Sequence, residues 1–257
     1  MNKYGIVITI LAALLVGAIV YICCDKFNKS EKCDCSGCCN CKPEEDVVDY
    51  TFDMENMNHY CNGVLGGDVS KLDENKLVGI VHDNAIYYFD NEKLYAEFCK
   101  ENDLWQIYEI DEKLDLIYKK AVELNIQDKD YPDVKDVPEE MKKYWYEVFG
   151  TEFGNVPGGH SGAKATWSVV AYDKKEYVSP KKTCVGPTYW SLGGFNKKTT
   201  SFKVYNSGLN GLWWCHKTWY GKPRIAYGMI GVPVGNLGCP YVTASHDNKF
   251  CSYFTLG

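Results

Sequence analysis

The chain has 257 residues, 46% of them apolar and 24% charged, which excludes a disordered polymer and leaves room for one or two packed domains. A net charge of −6 and a single arginine, Arg224, argue against a nucleic-acid surface, which needs a basic face rich in arginine. The charge is uneven: residues 43–152 are crowded with Asp and Glu and lysines dominate afterwards, so two units with different surfaces are expected.

The first predicted element is a membrane helix. Residues 5–24, "GIVITILAALLVGAIVYICC", carry no charge. About 20 apolar residues at ~1.5 Å each match the ~30 Å hydrocarbon core of a bilayer. Tyr4 and Tyr21 stand where interfacial aromatics belong. No small-residue cleavage pattern follows the run, so residues 1–24 read as an uncleaved single-pass anchor. The bulk of the chain is expected outside the cytoplasm.

Residues 25–45 read as a cysteine-rich tether built around "CDCSGCCNC". Thiolates of Cys33, Cys35, Cys38, Cys39 and Cys41 on a flexible loop can converge on one soft ion, Zn²⁺ or Cu⁺. The segment looks like a fragment of metallothionein, although the long gap between CxxC pairs usual for zinc is missing. A low-complexity tether is the plainer reading. Cys61, Cys99, Cys184, Cys215, Cys239 and Cys251 are scattered, and in an exported chain they would form disulfides.

Residues 46–150 form the acidic, mainly helical mixed module. A hairpin is predicted over 76–89 with its turn at His82–Asp83–Asn84. Asp90 or Asn91 caps a helix that runs to about residue 102. Ile107, Tyr108, Leu114, Ile117 and Ala121 recur at helical spacing between Leu104 and Leu124. Pro138 opens a third helix, closed by Gly150. Residues 151–165 are a glycine-rich linker. Within it Gly159-His160-Ser161-Gly162-Ala163 nearly spells a nucleophile elbow, but no buried strand precedes it and no helix follows. The five histidines are spread widely and none has a supporting nucleophile, so no enzyme is expected.

From residue 166 the pattern is short alternating strands with turn residues between them, an all-β reading. It contains a repeat. Tyr172, Tyr177 and Ser179 of "YDKKEYVS" match Trp214, Trp219 and Gly221 of "WCHKTWYG". "LGGFNKKTTSFKV" (192–204) then matches "ASHDNKFCSYFTL" (244–256). Aromatic hairpin, polar loop, aromatic hairpin, polar loop: residues 166–257 resemble a βγ-crystallin domain, two Greek keys each with an aromatic-x4-aromatic-x-Gly hairpin and a later (N/D)(N/D)xx(S/T)S loop. The resemblance implies a sandwich, with Trp167, Trp190, Trp213 and Phe254 expected in its core. It also implies that the hairpin glycine supplies a backbone shape other residues resist, so that Ser179 distorts the first hairpin.

The family's paired loops clamp two Ca²⁺ ions. Carried over, Asn196 and Asp247 would be side-chain or water-mediated ligands, Thr200 would give its hydroxyl, and Lys198 and Lys249 their carbonyls. Cys251 stands where a hydroxyl should be and Lys197 where Asn or Asp should be, so one site is expected lost and the other weak. Otherwise the loops are turns whose Ser201 and Ser252 cap backbone groups. The expected function is a membrane-anchored, non-enzymatic structural or binding protein with a partner that the sequence does not name. The alternatives are a protease inhibitor or toxin-like domain, as the resemblance allows, and soft-metal binding through the cysteine cluster.

Overall fold

The computed structural model describes residues 50–51, 53–131, 133–153, 168–185, 192, 196–205, 211–228, 237–239 and 242–256. The expected anchor, the cysteine-rich tether and the near-elbow at 159–163 lie outside these residues. Among the described residues no helix is long and apolar enough to cross a membrane. Residues Asp46–Gly257 form one compact unit.

Local signals in the acidic stretch become the elements they predict. Three short strands come first: β1 (Tyr50–Thr51), β2 (Asn58–Cys61) and β3 (Val64–Leu65). β4 (Val78–His82) and β5 (Ala85–Phe89) make the expected hairpin. Its turn residues Asp83 and Asn84 have φ of 46° and 58°, a conformation that Asp and Asn tolerate and a two-residue hairpin requires. α1 (Glu92–Glu101) starts at Asn91, whose side chain accepts from the amides of Lys93 and Leu94. α2 (Trp105–Glu123) buries Ile107, Leu114, Ile117 and Ala121 on one face. α3 (Glu139–Phe149) follows Pro138 and ends at Gly150, whose φ of 70° is the left-handed cap glycine favours.

The carboxy-terminal strands are β6 (Ser168–Tyr172), β7 (Lys181–Val185), β8 (Ser201–Tyr205), β9 (Gly211–Cys215), β10 (Arg224–Gly228), β11 (Leu237–Cys239) and β12 (Ser252–Leu256). They lie in two sheets, ordered β1-β11-β8-β6-β7 and β12-β9-β10-β4-β5-β2-β3. The order β8-β6-β7 in one sheet repeats as β12-β9-β10 in the other, and β11, from the second repeat, crosses into the first sheet. The second repeat is thus a Greek key that lends a strand across the sandwich.

The second sheet does not stop at the sandwich. β4 runs parallel to β10 from Val78↔Arg224 to Val81↔Tyr227, so the acidic stretch extends the sheet by four strands. This covers an edge that would otherwise expose a row of unpaired backbone groups. The composition shift at 150–165 therefore separates no two packed units. Phe153, inside the expected linker, is itself buried against Trp145 and Trp219.

Strand alternation sorts the core into two layers. Leu212, Trp214, Ile225, Tyr227 and Tyr253 face the first sheet and meet Val169, Ala171, Phe202 and Val204. Trp213, Cys215, Ala226 and Phe254 face the other way, against Ile107, Leu114, Met141 and Trp145 of the helices. Trp213 and Phe254, expected in the sandwich core, thus hold the helices instead, one residue out of register with Trp214 and Tyr253. Trp167 and Trp190 lie outside the described residues. The layers are first sheet, second sheet, helices.

A charged pin crosses the second interface. Arg224 is 1% exposed, and its guanidinium pairs with Asp111 and Asp115 of α2 at 2.8 Å each. It also donates to the carbonyls of Tyr220 and Asp111 at 3.0 and 3.1 Å. Tyr95 of α1 donates to the second oxygen of Asp111, and Lys222 pairs with Asp115 at 2.8 Å. All three guanidinium nitrogens of the one arginine thereby lie within 3.1 Å of an oxygen, with Arg224 and Asp111 both buried.

The disulfides expected among the scattered cysteines are not formed at Cys61, Cys99, Cys215 or Cys251, which are free, buried thiols. They sit where small apolar groups pack, and burial pushes the thiols of Cys99 and Cys61 above their usual range, to about 12 for Cys99.

Candidate functional site

The two polar loops meet across a local two-fold relation. Lys197 N donates to Phe250 O at 2.7 Å, and Asn248 N donates to Thr199 O at 3.1 Å: the second residue of each loop bonds the fourth of the other. Lys197 and Asn248 both have positive φ, 58° and 53°. The hairpins match as well. Ser201 donates to Lys174 O at 2.7 Å and accepts from Tyr177 N at 3.1 Å, while Ser252 donates to Lys217 O at 2.8 Å and accepts from Tyr220 N at 3.4 Å. Both serines thus cap backbone, as their loop position predicts.

This network also corrects the register of the repeat. Asp173 N bonds Pro180 O and His216 N bonds Pro223 O, so Tyr172 corresponds to Cys215, Tyr177 to Tyr220 and Asp173 to His216. The pairing by aromatics alone is one residue off. The strained positions are Glu176 and Tyr177 (φ 56° and 61°) and Trp219 and Tyr220 (φ 60° and 63°). Gly221 has an ordinary φ of −65°. Its glycine is required for space instead: a Cβ there would lie 2.6 Å from the Tyr118 ring. Ser179 accordingly leaves the first hairpin undistorted, with the same backbone path as the second.

One half of the clamp gathers oxygen. Thr200 Oγ1 gives its proton to Asp247 Oδ1 at 2.7 Å, with Asp173 O at 3.2 Å and Asn248 Oδ1 at 3.3 Å. Thr200 and Asp173 come from the first key, Asp247 and Asn248 from the second. Two expected ligands, Thr200 and Asp247, are therefore together, and two others, Asp173 and Asn248, were missed. Asn248 is the second position of its loop, a readable signal, whereas Asp173 offers its main-chain oxygen. Lys175 stands nearby, paired with Glu55 at 2.9 Å. Its ammonium is stabilised first by the Glu55 hydrogen bond, then by the charges of Glu55, Asp247 and Asp53.

The other half is chemically different. By the same two-fold relation Cys251 replaces Thr200, His216 replaces Asp173, Asn196 replaces Asp247 and Lys197 replaces Asn248. Asn196 Oδ1 is buried and has no partner among the described residues. Lys249 O, expected as a ligand, accepts from the Cys251 thiol at 3.7 Å, and Lys198 is exposed. By its place in the repeat Asn196 belongs to this half, whereas Thr200 and Asp247 belong to the other.

Beside this half two histidines far apart in sequence touch. His216 Nε2 lies 2.8 Å from His246 Nδ1. His246 is fully buried, with its ring stacked on Phe250 and on Tyr88 of β5. Tyr88 in turn reaches Thr243 and Ser245 at 3.4 and 3.5 Å, tying the acidic stretch to the loop. Burial, then Lys249 and Lys217, hold the His216 pKa down to about 3; burial, His216 and Lys249 push that of His246 well below its usual value. Both rings are neutral near pH 7. Among the described residues no three His, Cys, Asp or Glu side chains stand together as a metal cage.

Matched hairpins, paired polar loops and a strand lent by the second repeat to the first sheet make a βγ-crystallin-like fold. Two solved structures are similar to part of the chain. One is a betagamma-crystallin from an archaeon, with 16% identity over 35% of this chain and 99% of that chain, at a TM-score of 0.26. The other is a mutant of a betagamma-crystallin domain from Clostridium beijerinckii, with 17% identity over 35% of this chain and 97% of that chain, at a TM-score of 0.27. No family model and no curated protein matches the chain.

Proposed function

We propose that the chain is a non-catalytic, membrane-anchored binding protein whose crystallin-like sandwich takes one Ca²⁺ in the half-clamp of Asp173, Thr200, Asp247 and Asn248. The observation that supports this reading is the convergence of three oxygens, from both keys, on the Thr200 hydroxyl. A hard cation takes six to eight oxygens, so water completes the shell. Only Asp247 brings formal charge through a ligand atom, and Lys175 opposes it, which places the affinity in the weak range of extracellular modules, about 10⁻⁴–10⁻³ M. The opposite half, with Cys251, His216 and Lys197, supplies too little oxygen for a second ion. Anchoring rests on residues 5–24 of the sequence, and the binding partner is a surface or protein outside the chain.

Calorimetric titration of the detergent-solubilised chain with Ca²⁺ tests the site. The parent should give single-site heat, Thr200→Ala should weaken it by about tenfold or more through loss of one ligand, and Asn196→Ala should leave it unchanged. Absent heat in the parent, or equal heat in Thr200→Ala, contradicts the proposal.

A further inference from the structure

Away from the clamp, a cavity of about 340 Å³ opens between α1 and α2, inside the range of about 300–1,000 Å³ that small-molecule sites occupy. The charged pin lies along it. There Asp111 and Asp115 pair with Arg224 and Lys222, two anions with two cations. Three lining charges remain without an ion pair among the described residues: Glu92, Glu112 and Lys119. They are sorted by sign. Tyr108 donates to Glu112 at 3.0 Å and reaches Glu92 at 3.4 Å, so at one end two carboxylates share a single hydroxyl proton. Lys119 lies seven residues beyond Glu112 on the same helix, two turns or about 10 Å along its axis. Leu116 lines the cavity one turn from each of them, and it is 42% exposed.

We propose that this cleft binds a zwitterion of the ω-amino acid class: a short alkyl stem with an ammonium or guanidinium group at one end and a carboxylate at the other. The order of groups along the cavity, acid, apolar, base, is the complement of such a molecule. Its cation has several N–H donors, and Glu92 and Glu112 offer charged acceptors that the one Tyr108 proton leaves unfilled. Lys119 faces the ligand carboxylate. Leu116 covers the methylenes between, which removes apolar surface of both from water. The buried pairs of the pin fix the floor, so the site is formed before the ligand arrives. A metal ion is the poorer occupant of the acidic end, since no three His, Cys, Asp or Glu side chains gather as a cage among the described residues.

Calorimetry of the detergent-solubilised full chain with ε-aminocaproate, in low salt, tests the proposal. One site per chain is expected. Hexylamine and caproate, which each lack one charged end, should bind about tenfold or more weakly, the worth of one hydrogen bond to a charged group. Glu112→Gln should weaken ε-aminocaproate by a similar factor. Lys119→Gln should do the same yet leave hexylamine unchanged, so that the two compounds become alike. Both side chains are exposed, and the variants should melt as the parent does. Glu101→Gln removes the same charge at the far end of α1 and should change nothing. No binding of ε-aminocaproate by the parent, equal binding of hexylamine, or an equal effect of Glu101→Gln and Glu112→Gln would overturn the proposal.

Discussion

The Thr200 hydroxyl shows how little separates a turn from a binding site. Its one proton already satisfies Asp247, so without an ion the loop is a complete hydrogen-bonded corner. In the proposed site an ion would draw the same oxygens to itself, and Lys175, a resident positive charge near Asp247, Asp53 and Glu55, would oppose it. Lys175→Gln should therefore tighten Ca²⁺ binding no more than a few-fold, because the pair is solvent-exposed and screened. Calorimetry in low salt reads this directly, and unchanged affinity would remove Lys175 from the account. The loop hexapeptides announced Thr200 and Asp247. Asp173 escaped notice because it contributes a main-chain oxygen, which no side-chain pattern reports. The His216–His246 pair escaped because contact across thirty positions comes from the two-fold relation, not from spacing.

At the scale of elements, the interface between α2 and the second sheet depends on Arg224. Arg224→Leu leaves Asp111 buried and uncompensated, so a loss of about 3–5 kcal/mol in urea unfolding is expected. Asp115 adds a pH signature. Burial raises its pKa, but Arg224 and Lys222 outweigh this and hold it below the usual value. A depressed folded-state pKa contributes stability above the unfolded value, near pH ~4, and that stability is lost as pH falls through the folded value. The melting temperature of Asp115→Asn should thus fall less steeply than the parent's below about pH 4. Gly221 tests the other contact of α2. Gly221→Ala should cost about 1–3 kcal/mol by overpacking against Tyr118, and most of that cost should vanish in a Tyr118→Ala background. A cost that persists there would restore a conformational role for the glycine. Helix caps, the 83–84 turn and the helical periodicity were legible because they are local. The partner of each face was not, since Trp213 and Trp214 look alike in sequence and only the pairing of β9 with β10 and β12 assigns them to opposite layers.

For the whole molecule, the acidic stretch and the sandwich share a sheet, so residues 46–257 should unfold as one. Tryptophan fluorescence and far-UV circular dichroism should give coincident urea transitions. A fragment starting at residue 163 would uncover Trp213, Ala226 and Phe254 together with the β10 edge, and it should aggregate or fail to fold cooperatively. Composition suggested two units because charge reports surfaces, whereas strand pairing between β4 and β10 is a long-range contact that composition does not carry. The central claim is that the two halves of one clamp have diverged, one kept for a hard cation and the other not. Equilibrium dialysis against ⁴⁵Ca²⁺ counts the ions directly. A plateau of one Ca²⁺ per chain, abolished by Asp247→Ala and untouched by Asn196→Ala, is predicted; a plateau of two, or of none at millimolar Ca²⁺, would contradict it.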